Sequence, residues 1–533
     1  MAEHSSPLVQ GKATCPHCWE TFYADEAMYI SRHAELYGDP VLGDHENRRY
    51  APQEIHRDRN GDAQDPKGWK MTERACPNCH LQIPIELLLK PPNFISVVGA
   101  PRSGKTYFIT SMLHHLRHDL AKYFAMSLQA SDSHDVKAFV EYERTLFGAA
   151  DPSLPTALQK TQEQGALYNI VRLDNVDVQL PKPFIFTLRP TEANPDLAKQ
   201  GQKIHRNVVL YDNAGESFDF LKEKAGNIRV TQHLSHCDAV LFAYDPLQHP
   251  DARVRLANCS RDPQITAAAV TNRQESILEE VINRMRRHRP GTLNERLAPP
   301  LVVCVQKYDV WQSLVPRVRD GSGAETNTID HTSVVYSRTH GIAGLDIGEI
   351  NLISIQVRAF LNDLSPEFVT QAEANFEVVR YFPVSALGTS PQFESSADGV
   401  AGNQLLKVRP ADIRPFRVEH PMLWLLHRWK IIREARLKSN AAQLYPHATV
   451  ESIAGGRLRV VSPLTKWVMV LDREYAGSAI VDPEAGSFIW IPEINPINVQ
   501  AAHAPAPAPA SQPPPLKLGQ PEAPKPPKRG WFS

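Results

Sequence analysis

At 533 residues, 42% hydrophobic and 22% charged, the chain has length for roughly two to four domains and enough apolar surface for a sizeable core. Its 58 Lys and Arg against 59 Asp and Glu give a formal net charge of -1, which excludes a protein built mainly to coat nucleic acid. No apolar run reaches the ~18 residues of a membrane-spanning helix, and the opening MAEHSSPLVQGK lacks the apolar core of a signal peptide.

Residues 1–90 are polar and carry two C-x-x-C pairs, Cys15/Cys18 and Cys76/Cys79. Each has the knuckle form C-P-x-C, and two such turns can converge into tetrahedral thiolate coordination of zinc. The 57 residues between Cys18 and Cys76 exceed the usual spacing, so an insertion looping out of a zinc-ribbon-like module is expected. Four cysteines leave no open metal position, which makes the site structural rather than catalytic. His17 and His80 beside the knuckles read as surface residues. The odd total of seven cysteines, with C-x-x-C pairing, fits a reducing compartment, and cytoplasm is the expectation.

Pro91-Pro92 marks a joint. From there to residue 438, short apolar runs alternate with helical patterns, the signature of an α/β domain with a doubly wound, mainly parallel sheet. Expected strands are Phe94–Gly99, Phe184–Leu188, Asn207–Tyr211, Ala239–Tyr244, Leu301–Gln306 and Val379–Pro383. Expected helices are Lys105–Tyr123, Asp262–His288, Asp346–Leu361 and Met422–Lys438. Residues 439–500 read as a small β-rich extension, and 501–533, rich in Pro, Ala and Lys, as a disordered tail whose end, PPKRGWFS, is a candidate docking peptide.

The segment Gly99-Ala100-Pro101-Arg102-Ser103-Gly104-Lys105-Thr106 matches G-x-x-x-x-G-K-T between an apolar strand and a helix. Backbone N–H groups at such a helix start face phosphate oxygens. Lys105 supplies a point charge to the outer phosphates, Thr106 a hydroxyl ligand for Mg²⁺, and Ser103 lies within the cradle. Arg102 is either a solvated loop residue or a finger reaching the phosphates.

Three later segments bear on which nucleotide is held. In NVVLYDNAGE, Asp212 ends a strand and Gly215 follows, resembling the D-x-x-G box in which the Asp holds Mg²⁺ and the Gly N–H senses the γ-phosphate. LVVCVQKYD ends in Gln306-Lys307-Tyr308-Asp309, resembling the N/T-K-x-D guanine box with Gln in place of Asn or Thr. The Asp309 carboxylate can accept from the ring N–H and the amino group of guanine, with the Lys307 stem across the base. Ser385-Ala386-Leu387, in VVRYFPVSALG, fit the loop whose backbone N–H contacts the guanine carbonyl.

Over residues 94–438 the chain resembles TRAFAC-class P-loop GTPases. Within them it is most similar to the bacterial double-GTPase family associated with conflict and defence gene clusters, on PNFISVVGAPRSGKTYFI, VVLYDNAGE, the QKYD unit and HPMLWLLHRWK. That resemblance implies binding of GTP or GDP with Mg²⁺ and a switch working with protein partners. Glu216 stands where many such proteins have a water-positioning Gln, and its charge would oppose the γ-phosphate, so slow intrinsic hydrolysis is expected. Lys105, Gly215 and Glu216 are the catalytic candidates, and Thr161 or Thr156 the Mg²⁺-ligating threonine. The zinc ribbon leaves nucleic acid open as a partner. The alternatives are a P-loop ATPase of another class and a nucleotide-bound scaffold that hydrolyses nothing.

Overall fold

The structure, a computed structural model, describes residues 11–131, 137–158, 168–198, 204–212, 232–266, 273–287, 295–315, 342–393, 406–435, 445–453, 457–482 and 487–492, with the short pieces 318–319, 325–326, 329, 337–339 and 485. All of these fall within the unit Met1–Pro492. None of the described helices is long and apolar enough to cross a membrane.

A seven-stranded mixed sheet organises this unit. Its strands are β1 (Pro92–Val98), β2 (Met126–Ala130), β3 (Phe184–Pro190), β4 (Arg206–Asp212), β5 (Ala239–Tyr244), β6 (Leu301–Val305) and β7 (Val379–Pro383). Their spatial order is β2-β3-β4-β1-β5-β6-β7. The run from β4 to β7 is parallel throughout, whereas β3 lies antiparallel to both β2 and β4. The parallel strands are continuous apolar runs because both faces are covered. On one face, α1 (Lys105–Phe124) and α7 (His420–Arg428) pack over Ile95, Val97, Leu210 and Leu241. On the other, α3 (Gln274–Arg287), α5 (Ile347–Leu364) and α6 (Pro366–Asn375) pack over Val98, Val240, Phe242 and Val303. The remaining labelled helices are α2 (Lys137–Phe147) and the single turn α4 (Tyr308–Trp311).

From β1 the chain first fills one side of the sheet (β2 to β4) and then crosses to the other (β5 to β7). The loop after β1 therefore sits at a topological switch point, where open α/β sheets leave a crevice at the carboxyl ends of their strands.

All six expected strands are present within two residues at each end. β2 is an addition to that set, and the reversed β3, antiparallel to both β2 and β4, makes the sheet mixed. The expected helix 262–288 is seen as Pro263–Thr266 and Gln274–Arg287, with 267–272 outside the described residues. The expected helix Met422–Lys438 is corrected: α7 starts at His420 and ends at Arg428. Lys430 adopts a left-handed φ of 61°, and Ile431 N–H donates to Leu426 O at 2.8 Å, closing the helix in a Schellman-type turn. Residues 431–435 then run on to cover the core with Ile431 and Ile432, tied by Ala435 N–H to Leu345 O.

Residues 449–491 form five short strands: an antiparallel sheet of Thr449–Ile453, Arg457–Val461 and Val468–Asp472, and the hairpin Ser478–Asp482 with Ser487–Ile491. At the N-terminal end, short strands carry the four cysteines into a core shared with Phe94 of β1 and Val209 and Tyr211 of β4.

Candidate functional site

The loop 99–106 leaves β1 through Gly99 at φ 148°, where an added Cβ would stand 2.5 Å from Ala243 O of β5. Only glycine permits that approach. Gly104, at φ 88°, caps α1 in a left-handed conformation, with open space where a side chain would project. Arg102 is exposed, also at positive φ (63°). Ser103 is buried, and its hydroxyl has no hydrogen-bond partner among the described residues. Lys105 is 8% exposed, and its ammonium curls into the loop to donate to Gly99 O at 3.0 Å and Ala100 O at 2.9 Å.

Thr106, in the first turn of α1, donates its hydroxyl to Asp212 Oδ2 at 2.9 Å. Asp212 ends β4, in register with Val97 of β1, so strand pairing alone brings its carboxylate beside the loop. Thr156 is held on the 406–412 segment by paired backbone bonds with Val408 (2.8 and 2.9 Å), and Leu158 N–H donates to the hydroxyl of Tyr107 on α1 at 2.9 Å. Thr161, Gly215, Glu216 and the tail lie outside the described residues.

Asp309 and Ser385 follow neighbouring strands β6 and β7, and the Ser385 hydroxyl donates to Asp309 Oδ1 while accepting from Gly388 N–H at 2.8 Å. Burial pushes the Asp309 carboxyl above the ordinary carboxylate range, and the Ser385 hydrogen bond partly offsets it. The Ser385–Leu387 loop is tied to α1 by Ser111 Oγ donating to Ala386 O at 2.8 Å. Its Gly388, at φ 67°, packs so tightly that a Cβ would meet Arg414 O at 1.7 Å. Gln306 is buried, and its backbone carbonyl accepts from the Trp311 indole at 2.7 Å.

A second layer lies behind these loops, and apart from Lys307 no motif in the sequence marks it. Lys307 takes a left-handed φ of 61°, and its ammonium pairs with Asp245 Oδ2 at 2.5 Å and donates to Gln264 Oε1 at 3.1 Å. Asp245 follows β5, is 1% exposed, and exchanges backbone bonds with the Gln274 amide. Gln248 donates to Asp245 Oδ2 at 3.4 Å and to Pro101 O of the phosphate loop at 2.8 Å. Asp245 and Gln248 thus join the loop at 99–106 to the loop at 306–309. The one sequence hint is an acidic residue ending an apolar strand, as at Asp212.

The four cysteines converge. Their sulfurs lie within 4.8 Å of one another, with Cys15–Cys79 and Cys18–Cys76 both at 3.7 Å. A tetrahedral zinc site with Zn–S of about 2.3 Å has S···S edges of about 3.8 Å, so the donor set fits zinc. Backbone N–H groups of His17 and Asn78 donate to Cys15 and Cys76 Sγ at 3.3 and 3.4 Å, the bonds that stabilise thiolates in a knuckle. Burial pushes the Cys15 and Cys79 thiols up, while the three neighbouring sulfurs hold Cys18 well below its ordinary value. The surface reading of the two histidines is corrected. His17 is 1% exposed with Nε2 3.1 Å from Gln82 O, and His80 pairs with Asp39 at 2.9 Å.

No family model matches the chain, and no curated protein matches it. Among solved structures it is similar to the Ski7 GTPase-like domain of S. cerevisiae, crystallised bound to GTP, at 10% identity and a TM-score of 0.22, covering 69% of this chain and 57% of that one. It is also similar to a protein from Thermus thermophilus at 10% identity and a TM-score of 0.19, covering 69% and 45%. The chain therefore spans less than two thirds of either, and at these TM-scores neither likeness bears on fold or function.

Proposed function

We propose that this chain binds GTP with Mg²⁺ as a switch of low intrinsic hydrolytic activity, carries a structural zinc ion in its N-terminal module, and works with protein partners. The observation that carries this reading is the contact between Thr106 Oγ1 and Asp212 Oδ2 directly below the glycine loop. A hydroxyl from the start of α1 and a carboxylate from the end of β4 are the oxygen donors that Mg²⁺ bound to a nucleotide prefers. When bound, the ion neutralises charge between the outer phosphates.

The chain's own residues do the rest. Ser103, with its buried hydroxyl, and the N–H groups opening α1 hold phosphate oxygens. The Lys105 ammonium, already in the loop's concavity, exchanges carbonyl partners for phosphate. Asp309, oriented by Ser385, accepts from the N–H groups of guanine, which adenine does not present. A half-buried carboxylate of this kind discriminates, because the wrong base leaves it without the guanine N–H donors. The resemblance to double-GTPase proteins supports the partner-dependent setting.

Calorimetric titration of the full chain with GTP and ATP in Mg²⁺ tests the reading. GTP should bind at least about tenfold tighter than ATP, and Asp309→Ala should remove that preference. Equal affinity for the two in the wild type would reject a guanine site.

A further inference from the structure

We infer that the zinc knuckle and the nucleotide site are energetically coupled, with Trp19 and Tyr211 as the positioning residues that join them. The inference rests on the proposed GTP and zinc sites. Trp19 follows Cys18 directly, and its indole N–H donates to Tyr211 Oη at 3.0 Å. Tyr211 in turn donates to the carbonyl of Pro16, inside the first knuckle, at 2.6 Å. Both side chains are buried, at 3% and 1% exposure. The Tyr211 ring also lies tilted 4.5 Å from His233 and stacked 6.3 Å from Phe94, and Trp19 lies 5.9 Å from His233.

Tyr211 is the neighbour of Asp212 on β4. The two side chains leave opposite faces of the strand, Tyr211 toward the knuckle and Asp212 toward Thr106. One peptide bond therefore separates the group gripped by the cysteine turn from the carboxylate expected to meet Mg²⁺. Any shift of the β4 end that optimises Asp212 for a bound nucleotide moves the Tyr211 hydroxyl against Pro16 and Trp19.

Trp19 holds its place at a conformational cost. Its φ is 61°, in the left-handed region that disfavours non-glycine residues. His80, at the same place in the second knuckle, has φ 56° but reaches Asp39 instead of the sheet. A glycine would satisfy the turn at either position without strain. The indole at 19 is the group that ties the first knuckle to β4.

Coupling between two ligands is reciprocal, so either can report it. The measurement is the apparent zinc affinity of the full-length protein, read by equilibrium competition with a chelating dye, with and without saturating Mg²⁺–GTP. GTP should tighten zinc binding by about fivefold or more in the wild type. Tyr211→Phe, which keeps the ring and removes the hydroxyl, should bring that ratio to within about twofold of unity while zinc stoichiometry and melting temperature are retained. Trp19→Phe serves as an independent second variant with the same expected outcome. Equal zinc affinities in the wild type with and without GTP, or full coupling persisting in Tyr211→Phe, would overturn the inference alone. A wild type that binds no GTP or carries no zinc would overturn it together with the proposed function, and direct GTP titration and zinc analysis on the same preparation separate the cases.

Discussion

Asp309 imposes two opposite pH dependences. On the proposed reading guanine's N–H groups donate to the ionised carboxylate, so GTP affinity should fall on acidification. Because burial raises this carboxyl, the fall should begin at a higher pH than the ordinary aspartate value of about 3.9 would allow. For the nucleotide-free fold the sign reverses. A carboxyl raised in the folded state contributes stability below its unfolded pKa and loses it as pH rises through the folded value. GTP affinity measured from about pH 7.5 to about pH 4 checks the binding arm, with Asp309→Ala subtracting titration of the nucleotide's own phosphate. Parallel profiles in the two proteins would contradict it. At this scale the candidate site is legible in the sequence where chemistry fixes residue type: Gly99, Gly104, Lys105 and Thr106 are what the proposed phosphate cradle would demand. Asp245 and Gln248 are not, because a buried carboxylate and an amide bridging two loops follow no spacing rule.

Among the elements, the parallel strands are readable because burial on both faces makes them unbroken apolar runs. β2, reading Met126–Ala130, is not, since its alternation of buried Met126 and Leu128 with Ser127 and Gln129 runs for only 5 residues. The end of α7 escapes the sequence for a related reason. The stretch RWKIIREARLK keeps helical spacing, with no glycine or proline to mark the stop, and Lys430 supplies the left-handed closure instead. Lys430→Gly should therefore stabilise the protein by about 0.5–1 kcal/mol, removing a Cβ penalty in a conformation already fixed. A denaturant midpoint unchanged or lowered in that variant would show that the Lys430 side chain offsets its backbone strain.

For the whole molecule, chain order carries more than any local pattern. The glycine loop, Asp212, Asp309 and Ser385 fall in sequence at the ends of strands that the sheet sets side by side, so their convergence follows from the alternation of strands and helices. The docking of the cysteine module on β4 has no such basis. Trp19 and Tyr211 are separated by 192 positions, and nothing local to either names the other. The mixed sheet, with β3 reversed, is likewise hidden because an isolated apolar run does not reveal its direction.

Guanine recognition by Asp309 is the claim on which the functional account turns, and exchange of its chemistry is the most direct test. Asp309→Asn replaces a double acceptor with an amide that can donate to the 2-oxo group of xanthine. The wild type should prefer GTP over xanthosine triphosphate by about tenfold or more, and Asp309→Asn should reverse that order. Retention of the same order and affinities in Asp309→Asn would contradict a base-reading Asp309 and leave the glycine loop serving a different nucleotide.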